Sequence, residues 1–80
     1  MSRANPVPDH VLVRRRQVGQ NIRAARTARR LSQQFVAERA GGMDRATYVR
    51  IEQGQASPLL DTLILVADAI GVPLAHLVRD

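Results

Sequence analysis

The sequence contains no cysteine and no tryptophan among its 80 residues. Disulfide bonds and thiolate metal sites are therefore excluded. Only two aromatic residues are present, Phe35 and Tyr48, and the apolar 45% of the chain consists mainly of Ala, Val, Leu and Ile. Small aliphatic side chains of this kind suit close packing between helices. A chain of this length provides one domain with a modest hydrophobic core.

Long apolar runs are missing as well. No stretch reaches the roughly 18 apolar residues of a membrane span, and the first residues are polar or proline rather than the apolar segment of a signal peptide. We therefore expect a cytoplasmic protein without a membrane contact. Residues 1–8 hold two prolines and little apolar material, which predicts a flexible arm followed by one domain over residues 9–80.

Lysine is also absent, because all 12 basic residues are arginine. Between Arg3 and Arg45 ten arginines stand against three acidic residues, a net charge of +7, whereas residues 46–80 carry a net charge of −2. This asymmetry indicates one face for a polyanion and another face for a different contact. A solvated basic helix is the competing interpretation.

The spacing of apolar residues predicts five helices and no strand. The expected spans are about 10–29, 33–40, from a cap at 44 to a stop at 54, about 60–70, and a short last helix from 73. Asp9, Ser32 and Asp44 are the predicted N-caps, and Pro73 is the predicted first residue of the last helix. Five helices with short links indicate an all-α bundle.

Each predicted helix has an apolar face. The residues expected to face the core are Val11, Val18, Ile22 and Ala25 in the first helix, Val36, Ala37 and Ala40 in the second, Tyr48 and Ile51 in the third, Leu63, Val66, Ala67 and Ile70 in the fourth, and Leu74, Leu77 and Val78 in the fifth. The small Ala37 allows the second and third helices to cross closely.

The third predicted helix also has a distinctive outer face. Arg45, Ala46, Val49 and Arg50 lie away from the side that carries Tyr48 and Ile51. An α-helix fits the major groove of DNA, and arginine is the commonest reader of guanine edges there. The same pattern is equally typical of an exposed helix with two solvated arginines.

Five segments resemble the lambda-repressor-like, Xre-type helix-turn-helix family in order and spacing. They are IRAAR, LSQQFVAERAG, YVRIEQG, SP and DTLILVADAIGVPLAHL, between Val18 and Val78. The resemblance implies a compact five-helix domain, here with an extended first helix. It also implies a repressor-type regulator of transcription that binds double-stranded DNA and reads a palindromic operator as a homodimer.

The resemblance further implies roles for individual residues. Base reading is implied for Arg45, Ala46 and Arg50, backbone contacts for Ser32, Gln33, Thr47 and Ser57, and a structural ion pair for Arg26 and Glu52. Gln33 is also expected to brace the third helix, and residues 74–78 resemble a helix that often contributes to a dimer contact.

The chain departs from the family's pattern at three places. The turn at residues 41–44 is one residue longer than usual, and Phe35 and Leu65 are apolar where the family usually has charged or polar residues. The two apolar residues predict extra buried surface, against the first helix or against a partner chain. We expect Leu65, together with Leu74, Leu77 and Val78, to form the dimer contact, and a contact through Val11 and Leu12 of the first helix is the second alternative.

Residues for catalysis or metal binding are sparse. His10 and His76 lie far apart without other ligand types, which argues against a metal site. Asp61 and Asp68 share a helical face with no third group, and no nucleophile–base pair is visible. The sequence therefore predicts no enzyme and no cofactor. The alternative to a DNA-binding regulator is a module that binds another protein, such as an antitoxin that neutralises its partner.

Overall fold

A computed structural model describes residues 6–80, which form five α-helices and no strand. The helices are α1 (Asp9–Ala28), α2 (Gln33–Arg39), α3 (Arg45–Glu52), α4 (Leu60–Ile70) and α5 (Leu74–Val78). The predicted all-α class and order of helices are confirmed. Residues 1–5 of the predicted arm lie outside the described residues. No helix among residues 6–80 has the length and apolarity needed to cross a bilayer.

Side-chain caps begin α2 and α3, as the sequence predicts. The Ser32 hydroxyl oxygen accepts a hydrogen bond from the backbone N–H of Phe35 at 3.0 Å. A carboxylate oxygen of Asp44 accepts one from the backbone N–H of Thr47 at 3.2 Å. Each cap satisfies an amide that has no partner within its helix and contributes about 1 kcal/mol.

The predicted starts of α1 and α5 are each wrong by one residue. Pro8 is the N-cap of α1, and Asp9 is the first helical residue without a side-chain cap. Pro73 is likewise the N-cap of α5, and Leu74 begins that helix. Both prolines have a helical φ but an extended ψ of 148°. Proline lacks a backbone N–H, and neither the N-cap nor the first helical residue needs one. The spacing of residues alone therefore does not show which of these two positions a proline occupies.

The turn between α2 and α3 uses two left-handed glycines. Gly41 has φ 80° and Gly42 has φ 70°, a conformation that glycine adopts without steric cost. The chain then reverses, and the backbone N–H of Met43 donates to the carbonyl of Ala37 at 2.9 Å. Met43 is half-buried against the core. The turn therefore tethers the start of α3 to α2.

The core lies where α1 packs against α3, α4 and α5, and where α2 packs against α3 and α4. Its buried apolar residues are Ile22, Val36, Ala37, Ala40, Tyr48, Ile51, Val66, Ala67, Ile70, Val72 and Leu77. Most of the predicted inward residues belong to it or pack against it. Val11 and Val78 do not, since they are 40% and 38% exposed. Both lie at the edge of an open groove between α1 and the loop before α4.

Gly19 lies at a close approach between α1 and the end of α3. A Cβ atom at this position would lie 2.3 Å from the backbone oxygen of Glu52 and 2.7 Å from that of Ile51. Only glycine permits such an approach without a shift of the backbone. The contact fixes the position of the C-terminal end of α3 relative to α1.

Candidate nucleic-acid interface

The outer face of α3 forms one wall of an open surface groove. Arg45, Ala46 and Arg50 are exposed, and they line this groove together with Val49, Gln33 from α2 and Gln53 at the end of α3. We call these six residues the reading groove. The structure thus brings the three predicted base readers onto one surface.

Gln33 connects the reading groove with the interior. Its amide nitrogen donates a hydrogen bond to Oε1 of Glu52 at 3.2 Å. Its amide oxygen accepts a longer one from the guanidinium of Arg45 at 3.4 Å. The first residue of α2 therefore holds both ends of α3, which is the bracing role expected for it.

Glu52 is the centre of a buried polar cluster. The guanidinium of Arg26 donates from Nε to Oε2 at 2.6 Å and from a terminal nitrogen to Oε1 at 3.1 Å. The hydroxyl of Tyr48 donates to Oε2 at 2.5 Å. Arg26 also donates to the carbonyl of Leu31 at 2.8 Å. This hydrogen bond attaches the loop between α1 and α2 to the same cluster. We call Arg26, Gln33, Tyr48 and Glu52 the brace.

The brace keeps Glu52 ionised in spite of its burial. Desolvation alone would raise the pKa of this carboxyl, but the hydrogen bonds from Arg26, Tyr48 and Gln33 outweigh it and lower the pKa below the usual range. Burial and the hydrogen bond to Glu52 raise the pKa of the Tyr48 hydroxyl. Arg26 has a raised pKa because it donates to Glu52. The cluster is therefore a charged pair with a neutral phenol.

The four residues expected to contact the DNA backbone do not all lie together. Ser32 and Gln33 line a cleft of about 460 Å³ that also holds Arg45. Thr47 is exposed, but its hydroxyl donates to Asp44 at 3.2 Å and completes the cap of α3. Ser57 lines a separate groove with Arg14 and Arg15 of α1. Ser32 and Gln33 are thus the two that adjoin the predicted base readers.

Two further residues belong to this surface and were not predicted. Arg23 lines the cleft beside Ser32 and Arg45, and Gln53 lines both that cleft and the reading groove. Helical spacing carries a signal for each, since Arg23 lies three positions before Arg26 and Gln53 three after Arg50. Among residues 6–80, no group of three His, Asp or Glu side chains is placed to hold a metal ion.

The sequence of residues 22–77 matches the helix-turn-helix family HTH_3. The chain belongs to this helix-turn-helix family. The match includes the brace, the reading groove and the loop before α4, but begins after the N-terminal half of α1.

Two curated relatives of this helix-turn-helix chain are phage repressors. The chain is 42% identical over 59 residues to the cryptic phage CTXphi transcriptional repressor RstR of Vibrio cholerae, covering 74% of this chain and 52% of that protein. It is 39% identical over 63 residues to the immunity repressor protein of Bacillus phage phi105, covering 79% and 43% respectively. The chain spans about half the length of these two relatives.

A solved structure of similar size extends the comparison to the fold. The restriction-modification controller protein C.AhdI from Aeromonas hydrophila superposes with a TM-score of 0.74 at 32% sequence identity, covering 78% of this chain and 92% of that one. The predicted resemblance to the lambda-repressor-like family is therefore confirmed.

Proposed function

We propose that the protein is a DNA-binding regulator of transcription whose α3 enters the major groove. The observation that carries this proposal is the reading groove, where Arg45 and Arg50 are exposed on one surface of a helix fixed by the brace. Arginine donates two parallel hydrogen bonds to guanine O6 and N7. A fixed helix matters because base readout depends on the position of each donor.

The surroundings of the reading groove suit the DNA backbone. Ser32, Gln33 and Arg23 lie beside Arg45 and offer polar or cationic donors. Backbone contacts of this type orient a protein on the duplex without carrying sequence information. The two phage repressors support a role as a repressor for this chain, whereas the antitoxin alternative gains no support from them.

A homodimer is part of the proposal. One recognition helix reads only a few base pairs, and each correct pair contributes about 1–3 kcal/mol of discrimination. Two copies related by a two-fold axis would read half-sites about one helical turn apart. We therefore propose a palindromic operator, and place the protein in the cytoplasm with the DNA it binds.

Selection of bound sequences from a random pool of DNA duplexes tests the proposal directly. We expect enrichment of a palindrome that contains guanine in each half-site. A pool that shows no enrichment above the starting sequences would contradict sequence-specific binding.

Substitutions of the proposed base readers and of Gln33 separate base contacts from backbone contacts. Arg45→Ala and Arg50→Ala should each cost about 1–3 kcal/mol on the selected duplex and relax the base preference there. Gln33→Ala should weaken binding to selected and scrambled duplexes more evenly, because phosphate contacts carry no sequence information directly. Titration of both duplexes measures this, and equal losses for all three variants would rule out the assignment of base readers.

A further inference from the structure

The exposed side of α1 carries a row of side chains outside the brace and the reading groove. Arg16, Gln20 and Arg23 lie four and three positions apart, so they share one face of the helix. All three are exposed. We call them the α1 ridge. Arg16 and Gln20 precede residues 22–77, which match the helix-turn-helix family.

Both ends of the α1 ridge adjoin the proposed DNA interface. Arg23 lines the cleft that contains Ser32, Gln33 and Arg45. At the other end, Arg16 lies against Gly54, where a Cβ atom would come within 2.7 Å of the Arg16 Cγ. Gly54 directly follows Gln53, which lines the reading groove. The ridge is therefore continuous with the surface that would face DNA.

The charges on the ridge have no acidic counterpart in the described part of the chain. The ion pairs found among residues 6–80 join Arg14 to Asp80 and Arg26 to Glu52. Arg16 and Arg23 take part in neither pair. Seven residues of helix span about 10 Å, while each strand of B-DNA presents one phosphate per 3.4 Å or so of its axis. Two cations at this separation, each at the end of a long side chain, can reach different phosphates of one strand.

We propose that the α1 ridge binds the sugar–phosphate backbone next to the base pairs that α3 reads. Arg16 and Arg23 bind phosphates, and Gln20 lies between them. This inference rests on the proposed DNA binding and adds a sequence-independent contact that lengthens the footprint of each half-site. The ridge would set affinity and its salt dependence, while α3 sets the base preference.

The salt dependence of binding tests the proposal, because each phosphate contact releases counterions. The logarithm of affinity falls with the logarithm of salt concentration, and the slope reports the number of phosphates neutralised. Arg16→Gln and Arg23→Gln should each lower the magnitude of the slope by about 1 per bound protomer, and so by about 2 for a dimer, on selected and scrambled duplexes alike. The base preference from pool selection should stay as in the unaltered chain.

Arg79→Gln is the matched control. Arg79 lines a groove with Asn21, Ala24 and Ala28, on a face of α1 roughly 120° away from the ridge. It removes the same charge and should leave the slope unchanged. Gln20→Arg should raise the magnitude of the slope by about 1 per bound protomer, because it adds a cation to an exposed position. Circular dichroism melts confirm that each variant is folded.

The outcomes distinguish the two levels of the proposal. If the unaltered chain binds no duplex, both the proposed function and the ridge are overturned. If the unaltered chain selects a sequence but the Arg16, Arg23 and Gln20 variants show the slope of Arg79→Gln, the ridge alone is overturned. Reduced slopes for Arg16→Gln and Arg23→Gln, with an increased slope for Gln20→Arg, support it.

Discussion

Glu52 brings a negative charge into the interior of a very small protein. Its side chain is 3% exposed and that of Arg26 is 11% exposed. Removing two charges from water is costly, and the pair tolerates it because both carboxylate oxygens accept hydrogen bonds. The brace is therefore most sensitive to the loss of one partner.

Replacement of Glu52 should remove a large part of the folding free energy. Glu52→Ala leaves the Arg26 guanidinium buried without its carboxylate, which should cost on the order of 3–5 kcal/mol. Arg14→Ala is the control, because its ion pair with Asp80 is exposed and such pairs contribute about 1 kcal/mol or less. Urea denaturation of both variants measures the difference. Similar losses for the two would show that the brace is no stronger than a surface pair.

The same carboxylate should make stability depend on acid. The pKa of Glu52 is lowered in the folded chain, so its contribution is complete above the unfolded pKa of about 4.3 and is lost as the pH falls through the folded pKa. Glu52→Gln lacks this component. The difference in the free energy of unfolding between the two proteins should therefore shrink below about pH 4.3. A constant difference from pH 7 to 3 would contradict a lowered pKa.

The contact between α1 and α3 depends on a missing side chain. Gly19 lets the backbone of α1 lie directly against the last carbonyls of α3, and Arg26, two turns further along α1, holds Glu52 from the side. The two contacts fix both the distance and the rotation of α3. A helix held in this way presents Arg45 and Arg50 in a defined direction.

Gly19→Ala should destabilise the protein, although helix propensity alone predicts that alanine stabilises a helix relative to glycine. Alanine stabilises the interior of an isolated helix by about 1 kcal/mol relative to glycine. Here the new methyl group meets backbone atoms, which cannot rotate away, and overpacking of this kind costs about 1–3 kcal/mol or more. We expect a net loss of stability in thermal melts. Gln20→Ala at the exposed neighbouring position should stay within about 0.5 kcal/mol of the unaltered chain. A stabilised Gly19→Ala variant would show that the two helices separate easily.

Several large apolar side chains remain exposed on the surface of the molecule. Leu65, the predicted dimer residue, is 41% exposed, and Leu60 on the same helix is 61% exposed. Leu60 and Ile64 are four positions apart and form one patch, whereas Leu65 lies about 100° further round α4. Leu77 is fully buried and belongs to the core, which removes it from the expected dimer contact.

Dimer formation should respond to a charge on one of these two apolar positions. If Leu65 lies in the contact, Leu65→Glu should shift the chain toward monomer in sedimentation at tens of micromolar and weaken binding to a palindrome. Leu60→Glu is its counterpart on the other patch, and the position that matters identifies the interface. Neither residue is buried in the monomer, so both variants should keep its fold. An unaltered chain that stays monomeric at this concentration, yet binds one half-site as tightly as the palindrome, would overturn the dimer.

Helix order, the Ser32 and Asp44 caps and most of the core follow from local patterns. Apolar periodicity and capping act over neighbouring residues, which is why they are legible in the sequence. The two misplaced starts, at Pro8 and Pro73, arise because proline suits either of two adjacent positions. Arg30 has a left-handed backbone with φ 57°, a conformation that the sequence would assign to glycine. The backbone N–H groups of its neighbours Arg29 and Leu31 both donate to the carbonyl of Arg26. These two hydrogen bonds hold the turn in which Arg30 lies.

The residues of the candidate interface also divide into those that the sequence alone determines and those that tertiary packing determines. The exposed face of Arg45, Ala46 and Arg50 is a property of one helix, and the sequence alone determines it through the position of Tyr48 and Ile51. The additions of Arg23 and Gln53, and the separation of Ser57 from that surface, depend on how α1 and the loop before α4 pack against α3. Side chains distant in sequence meet only when the core closes. Tertiary packing therefore decided which polar groups surround the predicted base readers.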